Sequence, residues 1–107
     1  MATKKEYAQY IVDQINENLA SVRAMFGEYA LYYDSVVVGL ICDNTLFIKI
    51  TVSNETLLNE NEKGPAYPGA KDSYIIDESQ IENREILNEI INNAYEDLLK
   101  INKNKKI

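Results

Sequence analysis

Three runs rich in β-branched and aromatic residues, Tyr29 to Asp34, Val36 to Cys42 and Leu46 to Thr51, are separated only by Asp34-Ser35 and by Asp43-Asn44-Thr45. A parallel crossover needs a dozen or more residues, so gaps this short force hairpins, and the three runs form an antiparallel meander. In the third run Leu46, Ile48 and Ile50 alternate with Phe47, Lys49 and Thr51. That alternation makes one apolar face and one mixed face that meets solvent or a partner. Gly39, central in the apolar second run, marks a bulge or the close approach of another backbone.

Helical periodicity flanks the meander. Thr3 and Glu6 have capping-box spacing and predict a helix start. Ala8, Ile11, Val12, Ile15 and Leu19 then recur on one side, with Gln9, Asp13, Asn16 and Glu17 on the other, so this helix packs one face on the sheet. Ser53 is placed to cap a short helix holding Leu57 and Leu58, which Gly64 and Pro65 end. Pro68-Gly69 suit the central positions of a type II turn. Ser73 to Ile76 reads as a fourth, short strand, followed by a loop through Ile81 and a last helix capped by Asn83. On that helix Ile86, Leu87, Ile90, Ile91, Ala94, Tyr95, Leu98 and Leu99 cover roughly 220°, whereas a surface helix needs a stripe of only about 100°. Either the helix is wedged between the sheet and the first helix, or Tyr95, Leu98 and Leu99 meet a second copy in a symmetric dimer. The expected fold is therefore α+β: an antiparallel sheet of four to five strands with the N- and C-terminal helices on one face, in two layers.

At 107 residues the chain suits a single domain spanning 1–107, which at this size buries roughly 60 to 70% of its unfolded surface. The net charge is −6, but Lys100, Lys103, Lys105 and Lys106 follow Leu99, leaving −10 on the residues before them. An acidic body repels phosphate, and the lysine tail from about residue 101 reads as a solvated, frayed end. The lone Cys42 has no partner for an internal disulfide. The longest apolar run, Val36 to Cys42, is too short to span a bilayer, and the N-terminus has no signal-peptide pattern, so the chain reads as cytoplasmic.

The chain has no histidine and no tryptophan. The commonest general base and metal ligand are thus absent, and Ser-His or Cys-His nucleophiles are impossible within one chain. The acidic residues Glu78, Glu82, Glu85 and Glu89 read as a solvated face that also offsets the helix dipole. No glycine lies in a phosphate-binding loop. The reading is of no enzyme, no cofactor and no metal. Cys42 is taken as a small core hydrophobe. The remaining candidates are Arg23, Lys49, Tyr67 and Lys71. Their heads either converge on an anionic ligand, or Arg23 and Lys49 pair with Glu28 or Asp43 while Tyr67 simply packs.

Arg23, Met25, Phe26 and Gly27 ahead of the first run, Leu46 and Lys49 in the third, and Tyr67-Pro68-Gly69-Ala70-Lys71 resemble motifs of the TfoX/Sxy family N-terminal domain, and the likeness extends from about Val22 to Leu99. The family pattern has a second glycine where this chain has Glu28. The resemblance implies an antiparallel sheet with helices on one face, similar to secretion chaperones, and no catalytic residues to carry over. Members with known roles regulate natural competence by assisting a transcription factor and carry a second, C-terminal domain, so this chain is expected to be a stand-alone TfoX-like protein. The leading expectation is a non-catalytic module acting through protein contacts on a transcription regulator or on itself as a homodimer. Two other readings stand beside it: nucleic-acid binding through Arg23, Lys71 and the lysine tail, and a small-anion sensor or enzyme using Lys49 or Lys71 with Tyr67.

Overall fold

The computed structural model describes residues 3–15 and 18–104, with side chains as far as residue 102. The meander consists of β1 (Ala20–Met25), β2 (Glu28–Tyr33), β3 (Val36–Cys42) and β4 (Thr45–Lys49). Each link is a two-residue turn, closed by the pairs Met25↔Glu28, Tyr33↔Val36 and Cys42↔Thr45. All six turn residues have positive φ: Phe26 52°, Gly27 82°, Asp34 47°, Ser35 69°, Asp43 51° and Asn44 54°. Turns with two left-handed residues match the twist of the flanking strands, which is why Asp, Asn and Gly are favoured there. Phe26 and Ser35 occupy the same geometry against that preference.

The sheet has six strands in the order β1-β2-β3-β4-β6-β5, all antiparallel. The count exceeds the expected four to five because Ala20–Met25 and the three-residue β5 (Lys63–Pro65) also pair. Gly64 and Pro65 had signalled only a helix stop, but proline is tolerated on an edge strand, where its missing N–H is not needed. The inner partner of β5 is β6 (Asp72–Ile76). β4 ends at Lys49, so Ile50 leaves the apolar face and is 40% exposed.

Gly39 meets both expectations. The β2–β3 register shifts between Leu31 and Tyr32, leaving Val38 as the extra residue of a bulge. On the other side, a Cβ at Gly39 would stand 2.1 Å from the Phe47 carbonyl oxygen. No side chain fits that gap, so β3 and β4 approach as closely as they do because this position is glycine.

Helices α1 (Lys5–Gln14), α2 (Glu78–Glu82) and α3 (Arg84–Asn104) cover one face of the sheet. Ala8, Ile11 and Ile15 from the first helical segment join Leu31, Ile41, Leu46, Ile48 and Tyr74 from the strands in one core. Leu87, Ile90, Ile91 and Ala94 of α3 are fully buried in the same core. Leu19 falls outside α1 and is 39% exposed. Asn16, Glu17, Lys105 and Lys106 lie outside the described residues, and α3 continues through Ile101 to Asn104.

Several caps differ from expectation. Thr3 does not cap α1: Lys4 occupies that position with no side-chain cap. The Thr3 hydroxyl instead donates to Glu28 Oε1 at 2.6 Å and accepts from the Asn44 N–H at 3.1 Å. Those bonds stitch the chain start to the tips of the first and third hairpins, a use for the hydroxyl that outweighs a local cap. Ser53 lies inside a 3-10 turn (Val52–Asn54), and its N–H and hydroxyl both donate to Asp97 on α3, at 2.7 and 2.6 Å. The helix α2 replaces the expected loop, with Gln80 Oε1 accepting the Asp77 N–H at 2.9 Å in the return half of a capping box. Asn83 does cap α3, its Oδ1 accepting the Ile86 N–H.

Candidate functional site

Several of the motif residues lie on the strand face away from the helices. Strand registers align Arg23, Ala30, Leu40, Phe47 and Ile75 in one row across that face. Cys42 shares the face, because its neighbour Ile41 points into the core and side chains alternate along a strand. An uncovered second face would leave these residues wet, yet Cys42 is 4% exposed and Phe47 9%.

The cover is the loop between β5 and β6. Pro68 presets the first turn angle and Gly69 takes φ +91°, so that the Ala70 N–H reaches the Tyr67 carbonyl at 3.0 Å, as the sequence predicted. This firm turn lays Ala66 and Tyr67 beside Cys42, and Tyr67 and Ala70 beside Leu40. Tyr67 remains 52% exposed and stands between two grooves.

The first groove, of about 430 Å³, is lined by Met25, Phe26, Glu28, Cys42, Ala66 and Tyr67. Its chemistry is apolar apart from Glu28, whose carboxylate is already committed. It accepts from the Thr3 N–H and hydroxyl and from the Asp43 N–H. Burial pulls this carboxyl upward, but the bonds from Thr3 and Asp43 outweigh it and hold it below the ordinary carboxylate range. The Cys42 thiol is pushed up, first by burial and then by the nearby Glu28, which disfavours a reactive thiolate. At the lip stands Phe26, 100% exposed at the tip of the β1–β2 hairpin.

Lys49, Tyr67 and Lys71 share the second groove, of about 480 Å³, with Leu40, Ile50, Ser73 and Leu98 among its other walls. Two of the three candidate cations thus come together. Arg23 does not join them: its guanidinium lies over the Tyr32 ring, 5.4 Å from the centroid, beside a separate depression bounded by Asn18 and Leu19. The expected ion pairs of Arg23 and Lys49 with Glu28 or Asp43 do not form among the described residues. Leu46, one of the motif residues, is a core residue with no exposure.

On α3, Tyr95 donates its hydroxyl to Asp34 Oδ2 at 2.7 Å and meets Tyr33 edge-on, with centroids 5.2 Å apart. The bond to Asp34 pushes its own ionisation upward. Leu98 packs on the core and closes one end of the second groove, and Leu99 is half-buried. The wide apolar arc of α3 is therefore spent largely within the chain, against β3, β4, α1, α2 and the 3-10 turn. No three His, Cys, Asp or Glu side chains gather as a metal would require among the described residues. No helix among them is long and apolar enough to cross a membrane.

Sequence reasoning missed Phe26 as an exposed group. The available signal was a two-residue link, Phe26-Gly27, between strands, which forces the aromatic to the hairpin tip. It also missed the roofing role of residues 66–70, because how far a loop folds back depends on the sheet beneath it.

The TfoX N-terminal domain profile matches residues 17–98. The chain is also 46% identical over 79 residues, covering 73% of this chain and 69% of the relative, to an uncharacterised 12.7 kDa protein in the trpE 5′ region of Spirochaeta aurantia. With the matched segment spanning every strand and most of α3, the chain belongs to the TfoX N-terminal domain family.

Proposed function

We propose that this protein is a cytoplasmic, non-catalytic binding module that acts through protein contacts, with Phe26 as the anchor of its docking surface. The observation that carries this reading is the combination of full exposure and left-handed backbone at one aromatic residue. An L-residue at positive φ is strained, and a water-exposed phenyl ring contributes nothing to folding. Such local cost concentrates at functional sites. Aromatic anchors beside an apolar groove are also what protein interfaces use for most of their binding energy. The groove of Met25, Cys42, Ala66 and Tyr67 supplies that neighbourhood.

The partner is a regulatory protein, a transcription or competence regulator of the kind that family members with known roles assist. The test is capture of partners on the wild-type chain and on Phe26→Asn, followed by mass spectrometry and by reconstitution of each captured pair from purified components. Asparagine suits the turn, so the fold persists. A reconstituted complex that Phe26→Asn weakens by about tenfold or more supports the reading. Equal binding by both chains refutes it.

A further inference from the structure

We infer that the second groove, flanked by Lys49 and Lys71, receives an acidic segment of the partner protein in which carboxylates alternate with aliphatic side chains. The inference rests on the protein-contact reading above and names the chemistry of what docks.

The whole chain carries −6, yet the lining of this groove holds two exposed lysines, Lys49 and Lys71, against one carboxylate, Asp72, and neither lysine is in an ion pair among the described residues. Two positive heads without internal partners favour a negative ligand, while the −6 carried by each body disfavours a second copy through long-range repulsion. Leu40, Ile50 and Leu98 are apolar, and Ile50 is 40% exposed because β4 ends one residue before it. A lining that mixes these apolar groups with two exposed lysines matches an occupant that presents aliphatic groups and carboxylates together. Ser73 and Tyr67, also in the lining, carry hydroxyls able to donate to carboxylate oxygens.

Placement supports a chain segment over a small anion. Tyr67 lines both this groove and the groove at Phe26. An extended segment lying across Tyr67 touches both linings, which a small anion does not. Gly69, with open space around it, holds the turn that positions Tyr67 and leads into Lys71.

The experiment selects short peptides from a random library displayed on phage against wild type, Phe26→Asn, and Lys49→Glu combined with Lys71→Glu. Both lysines are exposed, so the double variant keeps its melting temperature. Selected peptides are resynthesised with a fluorophore, and their affinities are read by anisotropy at low and physiological salt, with citrate and inorganic phosphate as competitors. The expected result is enrichment of sequences mixing Asp or Glu with Leu, Ile or Val. Their affinity should drop by about tenfold or more on the double variant and should weaken with salt. Three results overturn the inference: no acidic enrichment on wild type, acidic peptides bound equally by the double variant, or displacement by citrate or phosphate at the peptide's own concentration. Neutral peptides that need Phe26 but ignore the lysines would overturn this inference while leaving the protein-contact reading in place.

Discussion

Phe26→Asn separates stability from binding at a single position. Phe26 holds φ 52° at the first position of a two-residue hairpin turn, where both residues are left-handed. A left-handed conformation costs an ordinary L-residue about 1–2 kcal/mol, and asparagine adopts it more readily. The ring is 100% exposed, so its removal forfeits no burial. The net expectation is a gain of about 0.5–1 kcal/mol, comparable to other substitutions that fit the backbone better. For a domain of this size each kcal/mol moves the midpoint by about 4–8 °C, so Tm rises by about 2–8 °C. The opposite case is equally definite. A phenylalanine packed in a core loses about 3–5 kcal/mol when truncated, which would lower Tm by 10 °C or more. Differential scanning calorimetry at two protein concentrations distinguishes these outcomes, because self-association through Phe26 would make the wild-type midpoint concentration-dependent. A large fall in Tm for Phe26→Asn at low concentration would refute the assignment of Phe26 as a free, strained anchor.

Other substitutions probe the frame that holds the site. Gly39→Ala forces a methyl group to within 2.1 Å of the Phe47 carbonyl and must part β3 from β4. The expected loss is about 3 kcal/mol or more, at the top of the overpacking range, measured as a shifted urea midpoint. Glu28→Gln removes the charge that the Thr3 and Asp43 donors hold, and screening at this half-exposed site limits the cost to about 1 kcal/mol. The Glu28 carboxyl is depressed in the folded state, so its contribution is present above the ordinary value of about 4.3 and is lost as pH falls through the lower folded value. The Tm gap between wild type and Glu28→Gln should thus be full at pH 7, begin to narrow as pH falls past the ordinary carboxylate value and close only below the lower folded value. Asn54→Asp behaves oppositely. Asn54 is fully buried, donates to the Ile90 carbonyl at 3.0 Å and accepts from Asn93. A carboxylate there faces that carbonyl without a proton, costing about 3 kcal/mol at pH 7. The penalty shrinks at pH values low enough to protonate it, because burial raises the folded value and stability is lost as pH rises. A loss of stability independent of pH would show that the Asn54 side chain is not committed to Ile90.

The meander was legible because hairpin pairing is a short-range decision. Asp34-Ser35 and Asp43-Asn44 leave no room for any other connection, and β-branched runs on both sides need a pairing partner. The type II turn at Pro68-Gly69 and the cap at Asn83 were legible for the same reason, since each depends on residues three or four apart. Family motifs located Phe26, Lys49, Tyr67 and Lys71 without saying which of them would meet. The site itself was less readable. Thr3 and Ser53 look like caps in sequence, yet Glu28 and Asp97 claim their hydroxyls across 25 and 44 residues. Gly64-Pro65 looks like a helix stop, yet Lys63 to Pro65 becomes an edge strand because β6 offers a free side.

Sequence alone, then, determined the antiparallel meander, the helical faces, the family and the absence of histidine chemistry. The family follows from the resemblance of its motif residues, and the rest from spacing, periodicity and composition, which act over a few residues or over the whole chain at once. Only the tertiary structure decided that residues 66–70 roof the second face, that Arg23 stands apart from Lys49 and Lys71, and that Phe26 is left in water. Each of these depends on which distant groups compete for the same surface, and that competition is resolved only when the strands and helices pack together.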